Sequence, residues 1–383
     1  MSRPDDHIAD TAPANGSPPP NDPVSVRWLP SAARHEAEGI WERLDESLGR
    51  EELTCCWGWT STWLEHYGDV VPHRFAVGEA AGRPCGIALV TSATVMRGPF
   101  RLRRVHLGTA GEPPGESVFV EYNRLRVEPG LRPAFATSLI GDLGQDGRWH
   151  ELRLDGFAPE DAKGLLDADP LLAAQPMESP VNELQAADSG DAGVLGALKS
   201  RTRGKVRRTL EAIGDVEVEC AEDPAHALDI LNELIVLHQQ RWSAVGEPGA
   251  FASPRLAAFH RRLIPRLLPS RAVILFRVRA RTGTVGCLYH FVDRGRALFY
   301  QSGFASYDDP RLTPGFVAFA ACMQACRDRG LAEYDFMVGD SRYKRDLSTT
   351  SRQLIWATGR RPARRWQLID RLAAARRLLS ARG

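Results

Sequence analysis

Within the run Tyr334 to Ser348, YDFMVGDSRYKRDLS, a carboxylate (Asp340), a phenol (Tyr343) and an ammonium (Lys344) fall inside five residues. Such groups can accept a proton, donate one and neutralise an anion. Alternating Tyr334, Phe336 and Val338 read as a short strand, which Gly339 and Asp340 break into a polar loop that also carries Arg342 and Arg345. A loop leaving a buried strand is a frequent seat of chemistry. Each residue also has a plainer use: an Asx turn for Asp340, packing for Tyr343, solvent for Lys344.

A second stretch lies upstream. Thr313-Pro314-Gly315 suits a helix start, because proline fits the first turn and free N–H groups there attract phosphate. Arg311 can add charge. His290, between Tyr289 and Phe291 in a strand pattern, is either catalytic or a hydrogen-bonded strand histidine. His238, Arg241 and Trp242 close a helix before Gly246, with Arg241 a candidate substrate clamp. Six cations crowd Lys199 to Arg208, which serves either solvation or phosphate contact. The seven cysteines form no C-x-x-C pair and have no companion histidine motif, so neither zinc nor a redox role is expected. Cys322 and Cys326, one helical turn apart, read as small packed residues.

These groups need elements to hold them. At 383 residues the chain exceeds one ordinary core, and its 43% hydrophobic and 25% charged residues are those of a soluble globular protein. Four segments are expected: a disordered tail (1–24), an N-terminal domain (25–190), a C-terminal domain (191–360) and a basic helix (361–383) docked on the second domain. The alternative for that helix is peripheral membrane association. No window reaches the ~18 apolar residues of a membrane span, so a cytoplasmic location is expected. The net charge of +1 hides an asymmetry, −9 over 25–190 against +13 over 191–383, which points to a polyanion handled by the second half.

The two halves repeat one order. Helices at 35–48 and 57–67, a hairpin turning at Ala81-Gly82, a strand at 118–127, a helix at 131–143 and a strand at 149–154 make the first. After a linker at 186–193 come helices at 195–212, 224–242 and 254–268, and a hairpin turning at Thr282-Gly283. A strand at 297–303, a helix at 313–329 and a strand at 333–338 complete the second. The hairpins share a glycine pair, Gly82 with Gly86 and Gly283 with Gly286, and both late helices open on Pro-Gly. Glu128 precedes the first Pro-Gly and would repel phosphate; Thr313 precedes the second and would not.

The run GCLYHFVDRGRALFYQSGFASYDDPRLTPGFVAFAACMQACRDRGLAEYDFMVGDSRYK, together with LKSRTRGKVRRTLE, resembles the acyltransferase domain of the GNAT superfamily found in CelD/BcsL-type proteins. These in turn resemble the Fem transferases that build peptidoglycan cross-bridges. The most specific elements are Tyr307-Asp308 ahead of Thr-Pro-Gly, and Asp335-Phe336 followed by Gly339-Asp340 and Tyr343-Lys344. The resemblance spans about residues 195 to 348, and the first half matches in layout only.

It implies an α/β (α+β) class and a tandem GNAT-like fold of two mixed-sheet domains. An acyl donor would lie between strands 297–303 and 333–338, held by Tyr300, Ser302, Arg311, Thr313, Gly315 and Phe316. The implied reaction is N-acyl transfer from acetyl-CoA or another acyl-CoA to an amine on a small molecule or saccharide, with no metal. Asp340 would hold or deprotonate the amine, Lys344 would neutralise phosphate or oxyanion, and Tyr343 would reprotonate the leaving group; His290 is a further candidate base. Coenzyme A enzymes of this superfamily use a Gln/Arg-x-x-Gly-x-Gly/Ala loop, whereas this chain has one glycine and a proline. The Fem alternative, an aminoacyl-tRNA donor, therefore stays open, as does a non-catalytic scaffold or RNA-binding role in envelope assembly.

Overall fold

The computed structural model describes residues 23–49, 53–185 and 193–380. Most of the tail (1–22) and of the linker (186–192) lies outside the described residues. The first half runs β1 (Ser25–Pro30), α1 (Arg34–Leu48), α2 (Trp57–Tyr67), β2 (His73–Ala80), β3 (Arg83–Arg97), β4 (Phe100–Leu107), β5 (Arg126–Val127), α3 (Arg132–Gln145), β6 (Glu151–Phe157), α4 (Pro159–Ala168) and β7 (Leu172–Glu183). The second runs α5 (Gly193–Ala197), α6 (Ser200–Ile213), β8 (Val216–Cys220), α7 (Pro224–Ala244), α8 (Pro254–Leu267), β9 (Val273–Ala280), β10 (Gly283–Asp293) and β11 (Arg296–Phe304). It continues with α9 (Pro314–Asp328), β12 (Glu333–Asp335), α10 (Arg342–Leu347), β13 (Thr350–Arg360) and α11 (Arg364–Ser380).

The strands form one mixed sheet in the order β1-β2-β3-β4-β6-β13-β7-β12-β11-β10-β9-β8. Antiparallel β13 and β7 lie at its centre. Outside them on each side comes a parallel pair, β6 with β4 and β12 with β11, and then an antiparallel hairpin. The expected duplication is therefore present, with its last strands exchanged: β13 pairs β6 of the first half, and β7 pairs β12 of the second. The equivalent glycines are needed for close approach. A Cβ on Gly86 would meet Val127 at 2.8 Å, and one on Gly286 would meet the Phe304 ring at 2.6 Å.

The exchange was hidden in the sequence because β7 carries Pro176 and Pro180, which argue against a sheet strand. Other expectations also change. Of the strand expected at 118–127 only β5 forms. Val118–Leu125 is an irregular strap, with Phe119 and Tyr122 at φ of 47° and 55°. Asn123 wedges it beside the parallel pair by donating to Leu107 O at 2.8 Å, so no ladder can extend along it. The strand expected to reach Val338 stops at Asp335, because Met337 turns to φ 59°. The polar loop after it winds into α10. Finally, α11 docks on the first half, where Trp366 and Ile369 pack with Leu102, Val95 and Phe100. No helix among the described residues is long and apolar enough to cross a membrane.

Packing joins the halves as firmly as pairing does. Trp59 of α2 meets Phe259 of α8 and Phe291 of β10 edge-on, with centroids 5.7 and 5.4 Å apart. Across β11, α7 comes so close that a Cβ on Gly303 would lie 2.4 Å from Leu234 O and 2.9 Å from His238 N. Backbone cannot yield there as a side chain would. Gly303→Ala is expected to lower unfolding free energy by about 2–3 kcal/mol, measured by urea denaturation; an unchanged midpoint would contradict this close approach.

Candidate active site

The site follows from where β11 loses its neighbour. Its parallel pairing with β12 ends at Leu298↔Asp335, so the edge of β11 beyond Leu298 is open on that side. Pairing with β10 slips between Tyr289 and His290, which leaves Tyr300 as the extra residue of a bulge. Bulges bend a strand and re-aim its side chains, often beside active sites. Here the open edge faces a cavity of about 550 Å³ bounded by α7, the end of β11, the start of α9 and α10.

Five of the ten sequence candidates line this cavity: Ser302, Thr313, Gly315, Phe316 and Tyr343. Thr313 precedes α9 as its N-cap, and its N–H donates to Thr209 Oγ1 of α6 at 3.0 Å. The basic helix is thereby tied to the mouth of the cavity. Lys205 of the same helix sits 4.1 Å over the Phe316 ring and pairs Asp346 at 2.9 Å. Tyr343 stacks on Phe319, with centroids 5.3 Å apart and planes at 17°. Its hydroxyl has no hydrogen-bond partner among the described residues, and burial, opposed by Arg241, pushes its pKa up to about 12. Tyr343 thus stays a proton donor at neutral pH.

The other five lie elsewhere. Asp340 is 89% exposed and ion-paired with Arg345. Arg311, also exposed, pairs Asp309 at 2.8 Å. His290 is wholly buried, 2.6 Å from the Tyr334 hydroxyl, and burial pushes its pKa down to about 3. Tyr300 donates to Val118 O at 3.1 Å and packs in an aromatic cluster with His260 and Tyr289. Lys344 is buried rather than solvated: Nζ donates to Met337 O at 3.1 Å and Val338 O at 3.0 Å. It clamps the turn that ends β12, and Gly339 is needed beside it, at φ 140° with a Cβ position 3.1 Å from Nζ.

Two features escaped sequence reasoning, apart from Arg241, already a candidate clamp. Leu237, Gln240, Arg241 and Ala244 form one cavity-facing stripe of α7, at a helical spacing that could have been read. Among the described residues the lining contains no carboxylate, and Arg241 is its one cation. The strap's grip on the second half had no sequence signal. Asp335, at the end of β12, accepts from Tyr122 and from Ser179 Oγ at 2.5 Å, and Val338 N donates to Glu121 Oε2 at 2.9 Å. Burial raises the pKa of Asp335, and the bonds from Ser179 and Tyr122 oppose that rise.

Comparison with known proteins places this geometry. Residues 199–345 match the family profile described as Acetyltransferase (GNAT) domain. No curated sequence matches the chain significantly. Among solved structures, FemX has 12% identity and a TM-score of 0.53, covering 82% of this chain and 93% of its own. L-PGS from Bacillus licheniformis has 14% identity and a TM-score of 0.52, covering 90% of this chain and 96% of its own. The C-terminal domain (DUF2156) of a putative lysylphosphatidylglycerol synthetase from Agrobacterium fabrum has 14% identity and a TM-score of 0.52, covering 84% and 92%. The fold is thus a tandem GNAT-like α/β fold, and the stretch similar to the acetyltransferase profile lies in its second half.

Proposed function

We propose that the protein is an N-acyltransferase that moves an acyl group, acetyl in the simplest case, from an acyl-thioester to an amine acceptor. The open edge of β11 over a carboxylate-free cavity carries this reading. An extended donor arm can add to that edge as a strand would. Its phosphates would lie toward the start of α9, where Gly315 and Arg241 favour negative charge. Tyr343 gives a proton to the leaving thiolate. An amino sugar of a polysaccharide or cell-envelope precursor is the acceptor class this reading favours.

A second reading, aminoacyl transfer from tRNA, is favoured by α6. Arg201, Arg207 and Arg208 are exposed on the helix that Thr209 ties to Thr313. Salt separates the two. Binding of a charged tRNA is expected to weaken about 10³-fold between roughly 50 and 200 mM salt, as neutralised phosphates release counterions. An acyl-CoA, with few phosphates, is expected to weaken only several-fold over the same range. Titration of the full chain with acetyl-CoA and with aminoacyl-tRNA reads both slopes. Failure of both ligands to bind at low salt would favour a non-catalytic scaffold.

A further inference from the structure

A second cavity, of about 300 Å³, opens in the first half between β4, the end of β6, the 109–121 segment and β13. Its chemistry is opposite to that of the first. Glu112, Glu121 and Asp155 line it, and the one Lys or Arg in its lining among the described residues, Arg104, is already paired with Glu151 at 2.5 Å. His106, only 7% exposed, lines it too. Its Nδ1 lies 2.6 Å from Asp155 Oδ2, while Nε2 has no hydrogen-bond partner among the described residues. Phe119 stands at the rim, 65% exposed although held at φ 47°, and Trp356 lines the wall. A non-glycine residue held at positive φ is strained, and such strain clusters at ligand sites.

The segment that lines this cavity is also bonded to the second half. Glu121 accepts from Val338 N at the open end of β12, and Val338 O is clamped by Lys344, the neighbour of Tyr343. Tyr300 of the β11 bulge donates to Val118 O, in the same segment. These bonds tie the lining of this cavity to β11 and to the turn after β12, the elements that flank the first cavity.

We propose that this cavity is the acceptor subsite, binding a primary amine on an uncharged sugar-like ring, with the ammonium between Glu112 and Glu121 and the ring against Phe119 and Trp356. The assignment rests on the acyltransferase reading above and names its second substrate site. His106, fixed by Asp155, offers Nε2 to a ligand hydroxyl or to the amine. Glu121 takes one proton from the ammonium. The free amine attacks the thioester carbonyl, the C–N bond forms and the C–S bond breaks. The thiolate takes the Tyr343 proton, which the proton shed by the new amide nitrogen replaces.

Charge around Glu121 sets the pH dependence. Burial raises its pKa to about 7; the bond from Val338 N opposes the rise, Asp335 adds to it, and Lys344 opposes it. Glu112 is likewise raised to about 7 by burial, against the bond from Trp63 Nε1. Nearby Asp155 is also pushed up by burial, but the bonds from His106 and Arg153 hold it below the usual range. The two glutamates are thus ionised above about pH 7, and amine affinity is expected to fall as pH drops through that value.

The test titrates the full chain with glucosamine, glucose and putrescine, with acetyl-CoA binding measured separately. Glucosamine is expected to bind at least about tenfold more tightly than glucose or putrescine, and to lose about tenfold in Glu112→Gln and in Phe119→Ala. Acetyl-CoA affinity should stay unchanged in both variants. Glu121→Gln is expected to lower transfer rate about 10²-fold, with acetyl-CoA affinity retained. Glucosamine binding that survives both Glu112→Gln and Phe119→Ala overturns the subsite, and so does tighter binding of putrescine. Glucosamine bound here in a protein that binds no acetyl-CoA upholds the subsite and contradicts the thioester-donor reading instead.

Discussion

Gly315→Glu is expected to weaken acyl-CoA binding by at least about 100-fold while leaving the fold intact. Among the described residues, the first cavity has no carboxylate in its lining and one cation, Arg241. A glutamate at the first turn of α9 would put negative charge where the helix end favours donor phosphate. Space is not the obstacle, since a Cβ at Gly315 would lie 3.3 to 3.5 Å from the Phe304 ring, a tight contact with a side chain rather than with backbone. Gly315→Ala therefore serves as the control and is expected to lose no more than about threefold. Titration with acetyl-CoA, alongside thermal unfolding, separates charge from fold. Equal affinities in glutamate and alanine variants would remove the donor from this helix end.

Tyr343→Phe is expected to lower the transfer rate by about 10²-fold, the usual scale for losing a positioned proton donor. Donor affinity should not change, because the stack on Phe319 needs only the ring. The hydroxyl, pushed up to about 12, stays protonated throughout the working range. Any acid limb in the rate profile of the wild type must therefore survive in the variant. Asp340→Asn gives the contrast: its carboxylate is exposed and paired only with Arg345, so a change of less than about threefold is expected. Single-turnover transfer at saturating donor measures both variants. A Tyr343→Phe protein with normal turnover, beside an Asp340→Asn protein that fails, would restore the role first read for Asp340 and remove Tyr343 as the proton donor.

Local signals in this chain were readable and long-range ones were not. The hairpins, the Pro-Gly helix starts and the stripe that buries Trp59 and Trp63 all follow from spacing within a few residues. The grouping of Ser302, Thr313, Gly315, Phe316 and Tyr343 around one cavity was legible for the same reason, since they belong to elements with clear patterns. Lys344 was misjudged because its carbonyl partners, Met337 and Val338, exist as a cluster only after β12 stops early. His290 looked polar in a strand, yet its Nε2 partner, the Tyr334 hydroxyl, comes from 44 residues away. The exchange of β7 and β13 has no local signature at all. Neither does the reach of Glu121 to Val338, across 217 residues. The first half was read as matching in layout only, but its strap bonds to Asp335 and Val338 at the end of β12 in the second.

Hydrogen exchange on the full chain with and without acetyl-CoA tests the central claim most directly. The account predicts new protection in residues 302–306 at the open edge of β11, in 313–319 at the start of α9, and along 237–245 of α7, with little change around His106 and Asp155. Protection confined to the first-half cavity, or no protection under conditions where acetyl-CoA binds, would contradict it.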